Sequence, residues 1–148
     1  MLNPITLLDT PVSQQFAENP GYYQRVSGTP GHNGLDLACG LATQLYSPIE
    51  GVISELDVDP YGWGLYLKIS EIGNDNGQHY LLAHLSSVGD SKVGDQVVAG
   101  TPIALSGSSG NSTGPHVHVG WRPNGAYRNT LYHGWCDPEG ELARLQEG

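Results

Sequence analysis

Histidine and aspartate recur in three short contexts of this 148-residue chain. His32 and Asp36 stand in Gly-His-Asn-Gly-Leu-Asp, His84 in Leu-Leu-Ala-His-Leu-Ser, and His116 and His118 in Gly-Pro-His-Val-His-Val. Two imidazoles and one carboxylate suffice to hold a zinc ion and leave a fourth coordination position open, the feature that separates a catalytic zinc site from a closed structural one. Two further imidazoles then remain to carry protons.

Each context also has a plainer reading. His116 and His118 are two apart, so on a strand both rings leave from one face while Val117 and Val119 leave from the other, into the core. A chance surface pair of histidines fits that short pattern as well. His32 and Asp36 are four apart, the spacing of one helix face, but Pro30, Gly31 and Gly34 oppose a helix there. The expected structure is a loop running into a short strand, with Leu35 and Leu37 buried and Asp36 turned to the opposite side. A carboxylate between buried neighbours needs a partner. That partner is either a metal or, as is common beside glycine, the aspartate's own turn. His84 is expected at the end of a strand, on the side of Tyr80 and Leu82, where an isolated histidine is more often structural. His79 and His133 lack any such context and read as surface or structural residues.

The elements that position these residues are short strands. Glycine (21) and proline (10) make up about a fifth of the chain, against a usual share nearer an eighth. With hydrophobic content still 38%, the excess points to a turn-rich β protein rather than to disorder. Gly51 to Val58 alternates, with Val52, Leu56 and Val58 on one face and Glu55 and Asp57 on the other. Gly64 to Ser70 places Leu65, Leu67 and Ile69 inward. Gly73-Asn-Asp-Asn-Gly77 is a turn signal, and Gln78 to Leu85 is expected to return antiparallel. Val93 to Val97, Pro102 to Ser106, a glycine-serine loop from Gly107 to Gly114 and a strand from His116 to Trp121 follow. Pro11 to Phe16 has brief strand character, and Asn19 to Arg25 reads as a turn and a short helical piece. Asp137 as N-cap with Pro138 at the first helical position opens a C-terminal helix. The expected fold class is all-β and mainly antiparallel, a compact single domain over 1–148. Its core spans about 11–121, and 122–148 form an extension with a short helix.

Fifteen acidic residues against six basic ones give a formal net charge of -9. A nucleic-acid binder would show a basic face, so that class is excluded. Adhesion to an anionic membrane or wall polymer by charge alone is disfavoured. No run approaches the ~18 apolar residues of a spanning helix, so no membrane insertion is expected. The N-terminus has no positive segment followed by an apolar core, and no secretion signal is read there. Cys39 and Cys136 either pair or, the reading preferred here, remain two separate half-buried thiols. Nothing in the sequence specifies an oligomeric state.

Taken together the three contexts resemble the lysostaphin-type zinc metallopeptidases, peptidase family M23, whose catalytic domains are called LytM-like. Members carry an H-x-x-x-D element, a later histidine in a context like Tyr-Ala-His-Leu, and an H-x-H element that often reads Gly-Pro-His-Leu-His. Supporting context is similar too, in Ser47-Pro-Ile-Glu-Gly51-Val, Gly62-Trp-Gly-Leu-Tyr66, Val93-Gly-Asp-Gln-Val-Val-Ala-Gly100 and Gly107-Ser-Ser-Gly-Asn-Ser-Thr-Gly-Pro115. The resemblance runs from about Pro11 to Trp121. It implies a compact antiparallel β fold of the duplicated-hybrid-motif type with short peripheral helices. It further implies one Zn2+ per chain held by His32, Asp36 and His118, with His84 and His116 as catalytic histidines.

In such a site zinc lowers the pKa of its water to near 7, and with no glutamate beside the ligands the imidazoles carry the protons. The implied substrate is a peptide bond of bacterial peptidoglycan, in a stem, a D-alanyl cross-link or a glycine bridge, and the implied place of action is the cell wall. Loops 19–29, 71–78 and 107–115 are expected to wall the groove, with Tyr22, Tyr23 and Asn111 as substrate contacts and a tyrosine as donor to the oxyanion. Val117 and Val119 depart from the aromatic or leucine residues common beside the last histidine pair, without touching a ligand. No wall-binding module, prodomain or coiled coil is read, which would suit a phage lytic or tail-associated enzyme or an excised catalytic domain. Two other classes remain: an inactive wall-binding or hydrolase-activating module, and a phosphocarrier on a related scaffold. The phosphocarrier leaves His32 and Asp36 unexplained.

Overall fold

The computed structural model describes residues 3–73, 77–125 and 130–147. The strands are β1 (Val12–Gln14), β2 (Leu35–Leu37), β3 (Gln44–Tyr46), β4 (Gly51–Asp59), β5 (Gly64–Ser70), β6 (His79–Ser87), β7 (Gln96–Val97), β8 (Pro102–Ser106) and β9 (Val117–Arg122). Two short helices, α1 (Pro20–Val26) and α2 (Glu139–Glu147), lie outside the sheet. The sheet runs in the order β1-β2-β9-β6-β5-β4-β7, with β8 pairing to both β6 and β3. Each pairing is antiparallel. The fold is therefore the antiparallel β structure with short helices expected from the sequence. Residues 74–76, the middle of the turn expected at 73–77, lie outside the described residues.

Alternation divides the sheet into two faces. One carries Leu35 and Leu37 of β2, Val117 and Val119 of β9, Leu82 and Tyr80 of β6, and Leu67 and Ile69 of β5, all in the main core. Leu45, Ile103 and Leu142 of α2 close over them. On the opposite face a smaller cluster joins Leu81, Ala83 and Trp135, with Phe16, Trp63, Tyr66 and Tyr132 packed against it.

β4 departs from simple alternation. Between Ile53 and Glu55 it gains a residue on β5, because Ile53 faces Ile69 while Glu55 faces Lys68. The bulge at Ser54 shifts the parity, so Ile53 and not Val52 is the buried residue, and Leu56 still packs on the core. Val58 is exposed near the strand's outer end. α1 forms where the turn and helical piece were expected, and α2 starts at Glu139, whose N–H donates to the Asp137 carboxylate at 3.0 Å. Cys39 and Cys136 are half-buried and not joined in a disulfide. Among the described residues no helix is long and apolar enough to cross a membrane.

Candidate metal centre

β2, β9 and β6 are adjacent, with Asp36 opposite His118 and His118 opposite Ala83. That register lays Asp36 and His118 side by side on the face away from the main core. His32 arrives from the loop before β2. Its N–H donates to the Glu18 carbonyl at 2.8 Å and its carbonyl accepts from Ala17 at 2.8 Å. Gly31 is required there, since a Cβ would lie 2.2 Å from the Ala17 carbonyl oxygen.

The three side chains are buried and converge. His32 Nε2 lies 3.2 Å from Asp36 Oδ1, His118 Nδ1 lies 3.3 Å from the same oxygen, and the two nitrogens are 3.0 Å apart. A surface pair of histidines or a self-satisfied turn aspartate would not show this. Asp36 Oδ1 is buried without a hydrogen-bond partner among the described residues, although an unpaired buried charge is costly. His32 Nδ1 stands 3.0 Å from the Gln15 carbonyl. A carbonyl only accepts, so Nδ1 bears the proton and Nε2 offers a lone pair. Tetrahedral zinc with bonds of about 2.0–2.1 Å places neighbouring ligand atoms roughly 3.3 Å apart. Two imidazole nitrogens and one carboxylate oxygen at these separations therefore fit such an ion, and the group of His32, Asp36 and His118 is able to hold a metal. Burial opposes ionisation of Asp36, but the adjacent His118 and His32 outweigh it and hold the carboxyl well below the usual range. Burial, opposed by Asp36 and reinforced by His32, lowers His118 to about 4, so its ring is neutral and able to ligate at pH 7.

His84 reaches the same face by a backbone irregularity. Leu65 faces Leu85 while Leu67 faces Leu82, so β6 carries one residue more than β5 across this step. His84 itself adopts φ 61°, a left-handed conformation uncommon outside glycine that costs on the order of 1–3 kcal/mol. Leu82 and Leu85 both remain in the core. The expectation that His84 shares the side of Tyr80 and Leu82 is thereby corrected, because the bulge turns its ring to the side of His116 and His118. The ring centroids of His84 and His116 are 4.8 Å apart, and those of His84 and His118 are 6.1 Å apart. His84 Nδ1–H donates to the Ser109 carbonyl at 2.7 Å, and His116 Nδ1–H to the Gly114 carbonyl at 2.9 Å. Each ring, in its neutral form, thus presents the Nε2 lone pair. His116 Nε2 lies 3.6 Å from Asp36 Oδ2. Burial, with a smaller contribution from His116, lowers His84 below its ordinary value despite the bond to Ser109.

The five residues open into a cleft of about 600 Å³. One wall is α1, with Tyr22, Tyr23 and Val26, and the other is Asn111 to Thr113 together with Asp59, Tyr61 and Trp63. Asn111 Nδ2 donates to the Tyr22 hydroxyl at 2.7 Å, linking the two walls, while the Tyr23 hydroxyl donates to Gln14 Oε1 at 2.7 Å. Loops 19–29 and 107–115 contribute walls as expected. The described part of loop 71–78 does not, because it joins the ends of β5 and β6 remote from His84. The turn between β4 and β5 lies at the near end instead, and its residues Asp59, Tyr61 and Trp63 were missed. Antiparallel strand direction was the signal that identifies them. His79 lies away from the cleft against Trp135, 5.6 Å between centroids, and His133 is exposed.

The sequence profile of peptidase family M23 matches residues 30–130. The peptidoglycan DD-endopeptidase ShyA of Vibrio cholerae is 36% identical over 118 residues, covering 77% of this chain and 26% of that protein. The catalytic domain of the antimicrobial peptidase lysostaphin from Staphylococcus simulans superposes with a TM-score of 0.75 at 29% identity, over 91% of this chain and 93% of that domain. A zinc-containing peptidase from Vibrio cholerae superposes with a TM-score of 0.66 at 29% identity, over 81% of this chain and 36% of its own. The chain spans about a quarter of the length of the curated relatives it matches first.

Proposed function

The chain belongs to peptidase family M23, and from that membership we propose that it is a zinc-dependent endopeptidase acting on bacterial peptidoglycan at the cell wall. His32, Asp36 and His118 hold the metal, and His84 and His116 handle protons. The observation that carries the reading is the buried triangle of His32 Nε2, Asp36 Oδ1 and His118 Nδ1, with sides of 3.0–3.3 Å, open to a cleft on one side. A bound zinc ion supplies Lewis-acid activation of a water nucleophile and of the scissile carbonyl.

The remaining work falls to the chain's own residues. His84, neutral at pH 7 and with Nε2 unprotonated, takes the proton of the attacking water and returns it to the leaving amine. His116, beside it, has its Nδ1–H committed to the Gly114 carbonyl and turns Nε2 to the cleft, where in its protonated form it donates to the oxygen on which negative charge develops. The Tyr22 hydroxyl accepts from Asn111 and so keeps its own proton for the substrate, whereas Tyr23 must release Gln14 before donating to an oxyanion. Tyr22, Tyr23 and Asn111 are the substrate contacts in this reading.

Purified sacculi of D-alanyl cross-linked and glycine-bridged types, incubated with zinc-loaded protein with and without chelator, test it by mass spectrometry of the released fragments. New amine termini that vanish with chelator are expected, and their sequence identifies the bond. Zinc bound at one per chain with no release from any wall type would overturn the enzymatic reading in favour of a wall-binding module.

A further inference from the structure

One loop holds both proton-handling histidines, and one hydroxyl fixes that loop to the sheet. Ser109 Oγ donates to the Leu85 carbonyl at 2.7 Å and accepts from Leu65 N–H at 3.1 Å. Leu65 and Leu85 are the register partners that close the bulge around His84. A single hydroxyl therefore links the backbones of β5 and β6 at the point where His84 is held in its left-handed conformation. The carbonyl of the same residue receives His84 Nδ1–H at 2.7 Å. The seat is close: a Cβ on Gly64 would lie 2.4–2.5 Å from the Ser109 carbonyl and hydroxyl, and one on Gly110 would lie 2.3 Å from the Gly64 nitrogen. Ser109 itself does not line the cleft.

We propose that Ser109 is a positioning residue for His84, fixing through its hydroxyl the bulge that aims the ring and through its carbonyl the nitrogen that bears the proton. The inference rests on the reading of His84 as a catalytic histidine. Bulges re-aim side chains beside active sites, and a strained conformation persists only where its surroundings over-determine it. Without the hydroxyl, the Leu85 carbonyl and Leu65 N–H lose a partner that buried backbone groups require. The left-handed turn then relaxes, and the ring leaves its place.

Ser109→Ala, Ser109→Cys and His84→Ala are compared on the zinc-loaded chain with a soluble peptidoglycan fragment. Cysteine keeps the branching of serine with a somewhat larger atom that bonds weakly, and it carries the test if the alanine chain does not fold. Both Ser109 variants are expected to bind one zinc per chain and to keep KM. Their kcat falls about 10²-fold, the scale of a roughly 1 Å misplacement. In the zinc-free chain, the hydrogen-bonded Nδ1 proton of His84 seen by NMR in the unsubstituted protein is lost from both. Unchanged kcat and an unchanged Nδ1 signal in a folded Ser109 variant, with His84→Ala inactive, would overturn the proposal. Near-normal turnover by His84→Ala would instead remove His84 from the catalytic pair, a separate failure that the same experiment reads.

Discussion

At the scale of single residues, His116 and His118 stand two apart and are separated by what they touch. His118 points Nδ1 into the buried triangle, whereas His116 offers Nε2 at the cleft. His118→Ala is therefore expected to lose both stoichiometric zinc and activity. His116→Ala should lose most activity and keep its zinc, as read by metal analysis beside a turnover assay. Zinc retained at full affinity by His118→Ala would remove it from the ligand set. His79 permits a second test. Burial, aided by the charges of Arg122 and Lys68, lowers it to about 4, and its Nε2 has no hydrogen-bond partner among the described residues. The unfolded chain takes up this proton near pH 6.5, before the native chain does, so the contribution to stability is complete above that value and is lost as pH falls toward 4. His79→Gln should flatten this decline in urea midpoints measured at pH 7, 5.5 and 4, and an identical slope in both chains would refute the account. Residue types and spacing singled out all five candidate residues and the family resemblance supplied their roles, while alternation made legible the directions of Asp36, His116 and His118. The orientation of His84 was not legible, since it depends on one backbone angle that no side-chain pattern encodes.

At the scale of elements, alternation was sound wherever a strand pairs without interruption. Leu35 and Leu37 in β2, Leu67 and Ile69 in β5, and Val117 and Val119 in β9 are buried as expected. It failed at Ser54 in β4 and at His84 in β6, where an added residue reverses parity. Such insertions are fixed by the register with the neighbouring strand and not by the strand's own sequence. The loop into β2 shows a further dependence on its neighbours. A Cβ at Gly34 would lie 2.6 Å from His118 Cε1 and Nε2 and from the Val119 carbonyl oxygen, and the backbone at Gly34 is not left-handed. Alanine there is compatible with the local backbone, so its cost arises from the collision with the candidate ligand ring of His118 and the neighbouring carbonyl. Gly34→Ala is expected to weaken zinc binding by at least the roughly 10–100-fold typical of residues that support a ligand, measured by competition with a chelating dye. Unchanged affinity would show that His118 is free to shift within the site.

At the scale of the molecule, the candidate ligands join distant parts of the chain: His32 and Asp36 flank the start of β2, and His118 lies 86 residues after His32. A metal held there ties β2 and the loop before it to β9 and cannot be held equally by the unfolded chain. Binding to the native state alone stabilises by mass action, about 2.7 kcal/mol when free zinc is 100-fold above its dissociation constant. In a domain of this size 1 kcal/mol moves the melting temperature by about 2–4 °C or somewhat more, so zinc should raise it by roughly 5–10 °C over the chelator-treated protein. Asp36→Asn keeps the size of the side chain and removes the charge. Its melting temperature should be almost indifferent to zinc, which separates a loss of metal binding from a loss of packing. A zinc-dependent rise of the same size in Asp36→Asn would place the stabilising ion elsewhere, on a chain whose formal charge of -9 offers other carboxylates. A rise confined to the unsubstituted chain would tie the stability of the sheet to the same triangle that the proposed chemistry uses.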